Sequence, residues 1–168
     1  MRPLHERMRD LPREGRVEWL GLRPAFGAPI VVVEAVVAIA QRGLAGDRTA
    51  AGGTSGKRQV TLVQHEHLPV IAALAGRDSA PPEALRRNVV VSGLNLVALK
   101  RLRFALGSEV ILEGTGPCEP CGRLDETLGP GGFQATRGHG GITARVLRGG
   151  TVRVGDGVRV LAEAEPHA

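Results

Sequence analysis

Ile142-Thr143-Ala144-Arg145-Val146-Leu147-Arg148-Gly149-Gly150-Thr151-Val152-Arg153-Val154-Gly155-Asp156-Gly157-Val158-Arg159-Val160 reads as two extended runs about a glycine turn. The first run, Ile142 to Leu147, predicts a strand. Arg148, Gly149 and Gly150 predict a tight turn, because Gly-Gly accepts the positive φ that hairpin turns require. Thr151 to Val160 then completes the predicted hairpin. Val152, Val154, Val158 and Val160 fall on one face of that run, and Arg153 and Arg159 on the other. Such a period of two belongs to a half-buried strand.

Similar runs recur along the chain. Val17 to Leu22, Ile30 to Ile39, Gln59 to Val63 and Asn88 to Val91 predict strands rich in Val, Ile and Leu. The stretch around Phe104 and the stretch Val110 to Gly114 predict a hairpin-like pair. Gly43 to Gly56 predicts a loop, with Gly46, Gly52, Gly53 and Gly56 in it. His65 to Ala75 predicts a helix with Leu68, Ile71, Ala72 and Ala75 on one face and Pro69 in its first turn. Asp125 and Glu126 suit the start of a short helix. Gly107 to Leu112 echoes Gly155 to Val160, and both predict a strand bent at a glycine-containing kink. Many short strands, glycine and proline turns and little helix predict a mainly β protein, a closed or nearly closed β-barrel with a few short helices.

A chain of 168 residues with 42% hydrophobic residues predicts one domain with its own core. Its expected extent is 16–163, after a flexible or loosely packed lead-in over 1–15. The longest apolar stretch, Ile30 to Ala40, is interrupted by Glu34, so no membrane span is expected. Residues 1–15 mix four arginines with three acids and hold no apolar secretory core, so a cytoplasmic location is expected. The net charge is +5, and only Lys57 and Lys100 among 22 basic residues are lysines. Arginine grips phosphates and carboxylates in a fork, which points to an anionic partner. Nucleic acid is not expected, because aromatics are 2%, Tyr is absent and no stacking residues interleave the arginines.

The only cysteines lie in Thr115-Gly116-Pro117-Cys118-Glu119-Pro120-Cys121-Gly122-Arg123-Leu124-Asp125. Gly and Pro around them predict a loop at a strand end, with both thiols open to ligands. Arg123 nearby favours the thiolate. Four readings are open: a zinc knuckle completed by His65, His67 or His139; a thioredoxin-like dithiol; cysteines with no role; or one reactive thiolate that binds a soft metal or carries sulfur. No histidine pair follows at zinc-finger spacing, and no parallel α/β unit surrounds the pair.

Five segments together carry a family resemblance: Gly46-Asp47-Arg48; Gly56-Lys57-Arg58-Gln59-Val60-Thr61-Leu62; Arg86-Arg87-Asn88-Val89-Val90-Val91-Ser92-Gly93-Leu94-Asn95-Leu96; Pro117 to Cys121; and Gly138-His139-Gly140-Gly141-Ile142 running to Asp156. In order and spacing the chain resembles a stand-alone, bacterial-type MOSC domain, the module named after the C-terminal part of molybdenum cofactor sulfurases. The resemblance covers about Val17 to Val160. It implies a barrel of the pyruvate-kinase-barrel type and a functional cysteine. Cys121, with Pro120 before it and Leu124 after it, matches that cysteine better than Cys118.

The resemblance further implies the molybdenum cofactor, a pterin dithiolene with a phosphate tail, with Cys121 as metal ligand. Arg48, Lys57, Arg58, Arg86, Arg87, Asn88, Cys118 and Arg123 are the candidate cofactor contacts. His139, flanked by glycines that let a ligand approach, is the candidate proton donor or substrate contact. The implied function is a molybdenum-dependent reductase of N-hydroxylated substrates, served by an electron-donor protein. One alternative is a persulfide carrier fed by a cysteine desulfurase. Another is a non-enzymatic zinc-binding or adaptor domain. Pyridoxal phosphate is not expected, because neither Lys57 nor Lys100 sits in an obvious site for it.

Overall fold

A computed structural model of the chain describes residues 1–53 and 56–162. Residues 54–55 of the predicted glycine loop and residue 163, the expected end of the domain, lie outside the described residues. In chain order the elements are α1 (Leu4–Arg7), β1 (Gly15–Leu22), β2 (Val31–Val33), β3 (Ala35–Ile39), β4 (Gly43–Leu44) and β5 (Val60–Gln64). There follow α2 (Leu68–Leu74), α3 (Pro82–Leu85), β6 (Val89–Ser92), β7 (Arg103–Leu106), β8 (Val110–Pro117), α4 (Arg123–Leu128), α5 (Gly132–Thr136), β9 (Ile142–Arg148), β10 (Gly150–Arg153) and β11 (Gly157–Val160).

Seven strands close on themselves in the order β11-β7-β8-β9-β5-β6-β1, and β1 pairs back onto β11 through Gly15 and Val158. Closure removes the free edges that an open sheet would expose. All neighbours are antiparallel except β5 and β6, where Leu62 lies beside Val89. Register breaks at Val17/Trp19 in β1 and at Gly114/Gly116 in β8 supply the extra curvature that closure needs. The barrel is thus mainly β with short helices, as the strand pattern predicts.

Alternation on β5 and β6 builds two cores from one pair of strands. Leu62, Val89 and Val91 point into the barrel with Leu20, Phe104, Leu112 and Val146. Val63 and Val90 point outward, against Ile71, Leu85, Leu124 and Leu128 of α2, α3 and α4. The crossover between two parallel strands must pass over one face of the sheet, so its helices cover that face. The predicted helix over 65–75 exists as a 3-10 turn over His65–His67 followed by α2, with Pro69 in its first turn. Its packing carries the cysteine-bearing segment, because α4 begins two residues after Cys121 and lies in the same outer core.

Three expectations change. The predicted 142–160 hairpin does not form: β9 lies between β5 and β8, so neither of its edges is free. Thr151 to Arg153 instead pair with Ala35 to Val37 in a second, three-stranded sheet β10-β3-β4. The predicted facing survives that change, with Val152 and Val158 buried. The single strand over 30–39 is two, because Glu34 separates β2 from β3, and each joins a different sheet. The two glycine kinks are turns between elements rather than bends within a strand. Gly107 turns β7 into β8, and Gly155 lies between β10 and β11.

The N-terminal lead-in holds α1, which buries no residue, an Arg2–Asp10 ion pair, and Leu11 packed against the barrel core. No helix among the described residues is long and apolar enough to cross a membrane.

Candidate functional site

A buried polar knot anchors the site to the barrel. Arg23, directly after β1, donates from Nε to Asp47 Oδ2 at 3.1 Å and from Nη2 to Asp47 Oδ1 at 3.0 Å. Its backbone N–H also reaches Asp47 Oδ2, at 2.9 Å. Asn88, at the start of β6, donates from Nδ2 to Asp47 Oδ2 at 2.8 Å and to the Gly21 carbonyl at 3.0 Å, while its Oδ1 accepts from the Thr61 N–H at 3.1 Å. Strands β1, β5 and β6 and the 47–49 turn are therefore joined through three side chains. Burial opposes ionisation of Asp47. The Arg23 and Thr49 donors outweigh it and hold the carboxyl below its ordinary value. A buried charge of this kind is tolerated only when paired.

Beside this knot, Cys121 opens into a cleft lined by Arg23, Arg48, Arg58, Arg86, Arg87 and Arg123. Arg87 is buried. It donates from Nη1 to the Leu85 carbonyl at 2.8 Å, from Nε to the Gly140 carbonyl at 2.9 Å and from Nη2 to the Cys118 carbonyl at 3.5 Å. Carbonyl dipoles satisfy its N–H groups but leave its unit charge in place. Arg86 caps α3 in the left-handed conformation, φ 54°, and donates from Nη1 to the Ala28 carbonyl at 2.8 Å. Burial, then the like charges of Arg123, Arg23 and Arg48, pulls its guanidinium below the ordinary value. Burial also lowers Arg87, and Arg58 and Arg23 add to the effect while the two cysteines oppose it. Six guanidiniums crowd one cleft whose buried carboxylate, Asp47, is already matched to Arg23. The cleft therefore attracts anions.

The cleft has a volume of about 50 Å³, room for one small anionic group. An exposed thiol ringed by guanidiniums suits a soft metal held by sulfur together with phosphate or oxo-anion groups. By donor chemistry these residues fit a metal-bearing anionic cofactor.

The structure brings together Arg48, Arg58, Arg86, Arg87, Cys121 and Arg123 from the candidates named by sequence. It does not bring in the others. Cys118 is 2% exposed, against the expectation of two open thiols, because β8 continues to Pro117 and the Cys118 N–H donates to the Gly141 carbonyl at 2.9 Å. Cys118 lines a separate cavity of about 240 Å³ with Pro117, Val97, Lys100 and the Gly138–Gly141 loop. Asn88 has its amide committed to the polar knot. Lys57 meets Thr115 through its carbonyl, which accepts from Oγ1 at 2.6 Å, and does not line the cleft.

His139 does not line it either. Its ring packs edge-to-face on His67 at 5.2 Å, and its Nδ1 is buried without a hydrogen-bond partner among the described residues. Burial and the neighbouring His139 lower the His67 pKa. Among the described residues, Arg87 links the His139 loop to the cleft by holding the Gly140 carbonyl. Among the described residues no three His, Cys, Asp or Glu side chains cluster to hold a metal ion.

Arg23 and Phe26 were not singled out by sequence. Arg23 could have been: it follows Leu20-Gly21-Leu22 at the end of an apolar strand, and Asp47 is the only acid between Glu34 and Glu66. A buried arginine needs acceptors, and here Asp47 supplies them.

The family model described as the MOSC domain matches residues 25–159. The fold is similar to that of the YUAD protein from Bacillus subtilis, with a TM-score of 0.73 and 22% identity, over 87% of this chain and 94% of that one. It is also similar to YiiM from Geobacillus stearothermophilus, with a TM-score of 0.66 and 17% identity, over 88% and 75% of the two chains. YiiM from Escherichia coli gives 0.66 and 17%, over 90% and 72%. A comparison with curated proteins gives no match.

Proposed function

Since the chain belongs to the MOSC domain family, we propose that it binds the molybdenum cofactor in the Cys121 cleft, with Cys121 as the protein ligand to the metal. The observation that carries this reading is the exposed Cys121 thiol in a cleft lined by six guanidiniums. When bound, the cofactor supplies two-electron redox chemistry that the side chains lack. Arg48, Arg58, Arg86 and Arg123 bind the anionic groups of the cofactor. Arg87 fixes the Cys118 and Gly140 carbonyls and so sets the position of the cysteine loop relative to the His139 loop.

The reaction assigned is reduction of N-hydroxylated substrates. The substrate N–O bond breaks, two electrons from a donor protein and two protons are taken up, and the oxygen leaves as water. Cationic rims also suit docking of an acidic electron-donor protein.

A persulfide carrier is the second reading. One thiol is exposed and the other is 2% exposed, so a persulfide on Cys121 has no accessible neighbouring thiol to release it.

Elemental analysis of the full chain, expressed in a molybdenum-replete host that makes the pterin cofactor, tests the proposal. Wild-type protein is expected to carry molybdenum near stoichiometry and Cys121→Ala to lose it, while the cofactor-free forms of the two melt at the same temperature because Cys121 is exposed. Zinc bound without molybdenum would overturn the proposal. Sulfane sulfur on Cys121 without molybdenum would favour the carrier reading.

A further inference from the structure

The loop from Arg23 to Ala28, between β1 and β2, supplies one of the six guanidiniums in the cleft and touches three others. Arg23 starts it from the buried pair with Asp47. The Ala28 carbonyl near its end accepts from Arg86 Nη1 at 2.8 Å. Between them the Phe26 ring centroid lies 5.4 Å from Arg48 Cζ and 4.8 Å from Arg123 Cζ. Gly27, at φ 74°, backs onto the Arg123 guanidinium, and a Cβ there would stand 3.3 Å from Nη2.

Core packing does not account for Phe26. The side chain is 78% exposed, in a protein that has three phenylalanines, one tryptophan and no tyrosine. Phe104, by contrast, is fully buried. What the ring does touch is charge. An aromatic face attracts a guanidinium through its quadrupole, and here one ring serves two arginines. Arg48 and Arg123 carry like charges, and the ring offers each an attractive face. Arg123 also meets the exposed Glu126 through Nε at 3.8 Å, a weak tether.

We propose that Phe26 is a positioning residue, whose ring holds Arg48 and Arg123 at the mouth of the Cys121 cleft as a preformed pair of anion donors. A preformed pair binds an anion without first losing the rotamer freedom of two long side chains. The assignment rests on the reading of this cleft as an anion site. It adds a residue that neither charge nor hydrogen bonding would select.

The test is titration calorimetry of the full chain with inorganic phosphate at low ionic strength, where exposed charges are least screened. Phe26→Leu keeps apolar bulk but removes the ring, and is expected to bind phosphate roughly five- to thirty-fold more weakly than wild type. Phe26→Trp is expected to restore wild-type binding. The Nε–H resonances of Arg48 and Arg123 are expected to move in Phe26→Leu without any change in melting temperature, as loss of a ring current requires. Wild-type affinity in Phe26→Leu, or equal loss in Leu and Trp, would overturn the role of Phe26 and leave the anion site standing. Wild-type protein that takes up no phosphate would overturn the anion-site reading and this role with it.

Discussion

Asp47→Ala is expected to destabilise the protein by about 3–5 kcal/mol at pH 7, the scale of losing one partner of a buried ion pair. Asp47 and Arg23 have side chains 0% and 6% exposed. Removing the carboxylate leaves the Arg23 guanidinium buried without its counter-charge, and Asn88 Nδ2 loses one of its two acceptors. Asp47→Asn keeps the volume and some acceptor capacity, so its loss should be smaller. The sign with pH follows from the depressed carboxyl. Its ordinary value is 3.8 and its folded value is lower. The stabilisation is fully present above 3.8 and is lost as pH falls through the folded value. Urea unfolding of wild type and Asp47→Ala as a function of pH checks both points. The gap between the two stabilities should narrow as pH falls through the folded value. A loss under about 1 kcal/mol at neutral pH, the range of exposed ion pairs, would contradict the account.

Gly141→Ala is the second large effect. Gly141 leads into β9 at φ 86°, and a Cβ built there would overlap the Leu62 carbonyl oxygen of β5. Backbone cannot swing aside as a side chain does. The left-handed conformation alone costs an alanine about 1–2 kcal/mol. The overlap adds to this by pushing β9 away from β5 next to the Leu62–Ile142 pairing. The Gly141 carbonyl also accepts the Cys118 N–H, so the cysteine loop should loosen with it. Gly138 supplies the control: it has a similar φ of 81° and nothing near its would-be Cβ. Gly138→Ala should therefore cost only the conformational part. Equal losses for the two variants in thermal unfolding would count against the close β5–β9 approach.

The strands were legible because alternation is a local property. Val152 and Val158 face inward whichever strand lies beside them. Partner choice was not legible, because the edges of β9 are taken by β5 and β8, and each of those pairings spans many residues. Gly149-Gly150 looks like a hairpin turn in sequence and acts as the departure to a second sheet. The cysteines divide in the same way. Spacing treats Cys118 and Cys121 alike, but β8 runs on to Pro117 and draws Cys118 inside, while Cys121 reaches the outer loop.

Arg86 and Arg87 stood out by family resemblance, and Arg123 by its charge beside the thiols. Their convergence depends on α3, the start of β6 and the start of α4 meeting at one end of the outer core. Phe26 gave no signal of that kind, because its role exists only through partners distant in the chain.

X-ray absorption at the molybdenum K edge tests most directly whether Cys121 holds the metal. Protein purified with its cofactor should show a sulfur shell that loses one scatterer in Cys121→Ser, with an oxygen or nitrogen scatterer in its place. Identical sulfur shells in wild type and Cys121→Ser would contradict the assignment of Cys121 as the metal's ligand.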